Sequence, residues 1–62
     1  MKLPEIETVT SADEASELAI DWQAWQTDKS LTTAELVHYI DYFQALADKY
    51  DLTDEFKENG II

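Results

Sequence analysis

LTTAELVHYIDYFQALADKY, residues 31–50, carries the densest and best-phased apolar pattern in the chain. At about 100° per residue, Leu36, Tyr39, Ile40, Phe43, Leu46, Ala47 and Tyr50 fall within one arc of roughly 120°. His38, Asp41, Ala45, Asp48 and Lys49 occupy the opposite arc. Thr32-Thr33-Ala34-Glu35 opens the stretch as a capping box, in which the Thr32 hydroxyl accepts from the Glu35 amide and the Glu35 carboxylate reaches back to Thr32. The spacing predicts a helix over 33–50 whose apolar arc is a wall of the core.

Working upstream, Ser11-Ala12-Asp13-Glu14 is a second capping box, with two carboxylates at the positive end of the helix dipole. Ala12, Ala15, Leu18, Ala19, Trp22 and Trp25 share an arc of about 140°, which predicts a helix over 12–27. Small alanines at its start let a partner helix approach closely, and the two tryptophans fill the wider end. Asp28-Lys29-Ser30-Leu31 is a short connection between helices of similar length, the pattern of an antiparallel helical hairpin.

Downstream, Asp51-Leu52-Thr53-Asp54 interrupts the second helix. Asp51 or Thr53 is placed to cap a short helix over 54–59, which Gly60 would end. Leu52 and Phe56, four apart, can fold onto the hairpin, and Ile61 and Ile62 either tuck into it or meet another chain. Residues 1–10 read as an extended N-terminal arm, with Leu3, Ile6 and Val9 either docked on the helices or loose. One glycine and one proline leave few turn signals and argue against a sheet. The expected architecture is all-α: a hairpin over 12–27 and 33–50, a short C-terminal helix over 54–59 and an arm, with residues 11–62 as one small helical domain.

Sixty-two residues make one domain at most, and a chain of this length buries only about 60% of its unfolded surface. Without cysteine there is no disulfide and no thiolate metal ligand. Two Trp, three Tyr and two Phe must supply much of the core, each burying on the order of 150–250 Å². Homodimerisation is the other way to complete so small a core.

Fourteen acidic residues face four basic ones, for a net charge of −10. Direct binding to nucleic-acid phosphates and adsorption to anionic membranes are both disfavoured, whereas a protein partner with a basic surface would be steered in over long range. The plainer role of such charge is solubility. No apolar run approaches the ~20 residues of a transmembrane helix, and Met1-Lys2-Leu3-Pro4-Glu5 lacks the apolar core of a signal peptide. A soluble, cytoplasmic location is the expectation.

Glu14, Glu17, Asp21 and Asp28 follow one ridge of the first helix in steps of about 4.5, 6 and 10.5 Å. Such a row has the physics of a DNA mimic, with carboxylates standing where phosphates would. Equally, an acidic protein places its carboxylates opposite its core. Ile20 and Ala24 lie outside the core arc of the first helix, and Tyr42 outside that of the second, so Ile20 and Tyr42 mark a further apolar contact if nothing in the chain covers them. His38, the single histidine, sits on the outer face between Glu35 and Asp41 as a partner-binding group or a solvated residue. The Asp48, Asp51, Asp54 and Glu55 cluster lacks the spacing of a calcium-binding loop. No nucleophilic triad, zinc set or phosphate-binding loop is present, so neither catalysis nor a cofactor is expected.

The ending Asp51-Leu52-Thr53-Asp54-Glu55-Phe56-Lys57-Glu58-Asn59-Gly60-Ile61-Ile62 and the helix segment Asp21-Trp22-Gln23-Ala24-Trp25-Gln26 resemble short acidic proteins encoded by bacteriophages and prophages. The likeness covers the last two thirds of the chain and assigns no residue a role. It implies a small phage protein that binds or inhibits a host protein. Three functions follow as expectations: a non-enzymatic protein–protein interaction module; a DNA-mimic inhibitor of a nucleic-acid-binding protein; and a self-associating assembly component. The residues placed at such a contact are Glu14, Glu17, Ile20, Asp21, Asp28, His38 and Tyr42.

Overall fold

A helix end leaves backbone groups without intrahelical partners, and the helix boundaries of this chain lie where those groups find other partners. The computed structural model describes residues 1–62 and contains no strand: a 3-10 turn at Ile6–Thr8, α1 at Ala12–Gln26, α2 at Thr33–Tyr50 and α3 at Thr53–Glu58. The all-α hairpin with a short third helix is therefore the observed fold. No helix is long and apolar enough to cross a membrane.

The α2 capping box is complete. The Glu35 amide donates to Thr32 Oγ1 at 3.2 Å, and the Thr32 amide donates to Glu35 Oε1 at 3.2 Å. The α1 box closes differently. Ser11 Oγ accepts from the Glu14 amide at 3.1 Å as expected. The Glu14 carboxylate, however, accepts from the amide and hydroxyl of Thr10, at 3.2 and 3.3 Å. It thereby ties the end of the arm to the first turn of α1.

At the far end of α2 the expectation needs correction. Asp51 does not cap α3. It adopts the left-handed conformation, φ 57° and ψ 45°, with its amide donating to the Ala47 carbonyl. The Leu52 amide donates to the same carbonyl at 2.9 Å. This left-handed closure ends α2 and turns Leu52 back onto the core. Thr53 is the first residue of α3, one residue earlier than expected, and α3 has no side-chain cap. Its other end follows the expected pattern. Gly60, at φ +73°, is the left-handed residue of a Schellman motif, with Gly60 N bonded to Lys57 O at 3.2 Å and Ile61 N to Phe56 O at 2.8 Å. Phe56 and Ile61, the pair such a motif brings together, are 1% and 3% exposed.

Trp22 and Trp25, late in α1, meet Tyr39, early in α2, with ring centroids 5.6 and 5.8 Å apart. That pairing makes the hairpin antiparallel. Phe43 is the hub of the core: it lies 5.3 Å from Trp22, 5.2 Å from Tyr42 and 6.3 Å from Phe56. Ala15, Ala19 and Ala47 are fully buried beside the aromatic rings of the core. Ile40, at the edge of the predicted arc, is half-buried and outside the main cluster.

The arm is neither loose nor wholly extended. Its 3-10 turn is closed by Thr8 N to Glu5 O at 2.9 Å and Val9 N to Ile6 O at 3.1 Å. Val9 is buried, and Leu3 and Ile6 pack against the core. The arm runs parallel to α2, whose side chains bind its main chain in register. Tyr39 Oη donates to the Met1 carbonyl at 3.1 Å and Tyr42 Oη to the Pro4 carbonyl at 2.6 Å, while Tyr50 Oη donates to the Val9 carbonyl. Lys49 Nζ adds bonds to the Ile6 and Val9 carbonyls at 3.4 and 3.5 Å. The radius of gyration, 10.9 Å, matches the roughly 10.6 Å expected of a compact chain of this length, as a docked arm requires.

Candidate interaction surface

Because the arm lies along the hairpin, it divides one face of the molecule into two open grooves, and Pro4 borders both. The groove between the arm and α2, about 500 Å³, is lined by Glu5 and Glu7 of the arm and His38, Tyr39 and Tyr42 of α2, over an apolar floor that includes Leu3 and Ile6. The groove between the arm and α1, about 350 Å³, is lined by Glu14, Glu17 and Asp21, with Thr8, Val9 and Leu18.

Three of the four ridge carboxylates thus converge on one groove. Asp28 does not join them: α1 ends at Gln26, and Asp28 lies in the exposed turn beyond it. Tyr42 is partly covered by the arm, an intrachain partner of the kind on which its reading as a further contact was conditional. Its ring packs edge-on to Phe43, and its hydroxyl is bonded to Pro4. Ile20 stays 62% exposed and Ala24 is exposed beside it. Val37, which the sequence did not single out, is 50% exposed on the other long helix. His38 is exposed and stands edge-on to Tyr39, with ring centroids 6.1 Å apart. The sequence placed it outward but not at a groove, because its groove exists only once the arm is docked.

The electrostatics are one-sided. Hydrogen bonds to side-chain carboxylates are made by Glu14 and Glu35, both at helix caps. Two of the four lysines are engaged elsewhere. Lys29 Nζ lies 5.6 Å from the Trp25 ring centroid, and Lys49 Nζ, besides bonding the arm carbonyls, lies 5.4 Å from that of Tyr50. Burial pushes the Tyr42 phenol above its ordinary pKa of 10.0, which keeps the neutral donor form that holds Pro4.

Glu5, Glu7 and Tyr39 are the surface residues that sequence reasoning missed. Tyr39 falls within the core arc of α2 in the sequence, and its hydroxyl reaches the groove only because the arm is docked beside it. No group of three or more His, Cys, Asp or Glu side chains converges as metal ligands. Trp22 Nε1 is buried without a hydrogen-bond partner, and its ring is wedged between Tyr39 and Phe43. Comparison with protein-family models, curated proteins and solved structures gives no match.

Proposed function

We propose that this chain is a non-enzymatic protein-binding module that engages a basic surface on another protein through its arm and the outer side of α1. One observation carries the reading: Glu5, Glu7, Glu14, Glu17 and Asp21 line two grooves separated only by the arm, against which the Met1 ammonium stands as the one fixed cation, with no lysine or arginine among the lining residues. Carboxylates concentrated on one face raise the association rate of a cationic partner and set its orientation, and the effect falls with salt. Ile20 and Ala24, exposed next to Glu17 and Asp21, supply an apolar contact within that charged rim. The resemblance to small acidic phage proteins makes a bacterial host protein the partner to seek.

The test is capture from a bacterial lysate at low and high salt, followed by kinetics on the identified partner. The Glu17→Lys and Asp21→Lys double variant is expected to slow association by about tenfold at low salt. An unchanged rate would exclude this face.

DNA mimicry is a second reading, favoured by the convergence of Glu14, Glu17 and Asp21 on one groove. It is the weaker one. A DNA strand carries a charge about every 3.4 Å of axis, whereas these carboxylates are stepped by about 4.5 and 6 Å along α1. Competition by duplex DNA for the captured partner separates the two readings. Self-association is weaker still, since two copies each of charge −10 repel.

A further inference from the structure

We infer that the groove between the arm and α2 is a seat for an arginine side chain of the partner, an assignment that rests on the binding function proposed above. An arginine is a planar cation on an apolar stem, and this groove offers a surface for each part. Leu3, Pro4 and Ile6 supply an apolar wall for the methylenes. Glu5 and Glu7 supply carboxylates for the guanidinium, which forms forked, charge-assisted hydrogen bonds with such groups.

Tyr39 and Tyr42, one helical turn apart on α2, place aromatic rings in the same groove. A guanidinium over such a ring gains electrostatically and stacks, which a compact, strongly hydrated ammonium does less well. About 500 Å³ is ample for one side chain with a stretch of its backbone. One cation is already placed here: the Met1 ammonium donates to Tyr39 Oη at 3.1 Å. Its charge shares the groove with an incoming cation, and the two carboxylates of Glu5 and Glu7 against this one ammonium leave the lining net negative. The second groove has carboxylates too, but Val9, Leu18, Pro4 and Thr8 complete its lining and no aromatic ring borders it. Arginine selectivity therefore belongs to the first groove.

The probe is an acetylated, amidated tri-arginine peptide, with its tri-lysine and tri-citrulline counterparts, titrated into the isotope-labelled full chain and followed by amide chemical shifts. Saturable shifts are expected at Glu5, Glu7, His38, Tyr39 and Tyr42. The lysine peptide should bind more weakly, and citrulline, which keeps the shape and loses the charge, should not bind. A Glu5→Gln, Glu7→Gln double variant should weaken the arginine peptide by about fivefold. Both positions are exposed, so its helical circular dichroism should match the parent's. Location is read on the unmodified protein, so the assignment does not depend on the variant folding. Shifts confined to Glu14, Glu17 and Asp21 would overturn the arginine seat and leave the acidic face as the binding surface. Equal binding of arginine and lysine would overturn it too. Absence of shifts with all three peptides would overturn the seat; the lysate capture decides separately whether a basic partner binds.

Discussion

Asp51 and Gly60 both hold positive φ, at 57° and 73°, and they end α2 and α3. Glycine adopts that region freely, while a residue with a Cβ is strained there. Gly60→Ala should therefore destabilise the fold by about 1–2 kcal/mol. The cause would be backbone strain, not crowding, because a Cβ at Gly60 would meet no heavy atom nearer than Gln23 Nε2 at 3.9 Å. The opposite substitution at the other junction should stabilise. Asp51→Gly relieves the same strain and removes a carboxylate from the negative end of the α2 dipole, against a freer unfolded chain, for a net gain of about 0.5–1 kcal/mol. Thermal unfolding should show the midpoint up by about 4 °C for Asp51→Gly and down for Gly60→Ala. Gly60 was legible in the sequence because a lone glycine after an amphipathic run has one common use. Asp51 was not, because aspartate suits both a helix N-cap and a left-handed turn, and only the return of Leu52 to the core selects the turn.

At the scale of elements, the arm is the part whose role changed most. Its apolar residues gave a docking expectation, but the register comes from the three tyrosine hydroxyls of α2 and their carbonyls at Met1, Pro4 and Val9. The latch is pH-sensitive at its Tyr42 member. Burial raises that phenol above 10.0 in the folded chain, whereas the unfolded chain ionises at the ordinary value. The contribution is thus complete below pH 10.0 and is lost as pH rises through the raised folded value. The phenolate also cannot donate to Pro4. Raising the pH from about 9 to about 11 should lower the unfolding midpoint and speed proteolysis within the arm, and Tyr42→Phe should flatten that dependence. A Tyr42→Phe chain with the same alkaline loss would refute the Tyr42 contribution to the latch.

For the molecule as a whole, charge and size act together. The chain measures 29 × 23 × 18 Å and carries fourteen side-chain carboxylates, so all of them lie within about one Debye length of one another at 0.01 M salt, about 30 Å, but not at 0.1 M, about 10 Å. Self-repulsion therefore opposes compaction, and screening should relieve it. The unfolding midpoint should rise between about 0.01 and 0.15 M sodium chloride, while association with a basic partner weakens over the same range. Calorimetry and binding kinetics in matched buffers read both. A midpoint independent of salt would mean the carboxylates are too well solvated to oppose folding.

The sequence by itself determined the three helices, their antiparallel order and the arc of α2 that walls the core. Those features follow from local signals: 3.6-residue periodicity, capping residues next to it and connections too short for any other arrangement. Tertiary structure alone decided which surfaces are free. Whether the chain covers Tyr42 and Ile20 was open in the sequence: the arm meets Tyr42, and Ile20 stays 62% exposed. The two grooves are likewise products of a contact between residues nearly forty positions apart. Leu3, Ile6 and Val9 recur every three residues, but that spacing does not say which face of the hairpin they meet. The stretch 31–50 keeps its place as the wall of the core, with one flank acting as the rail that seats the arm.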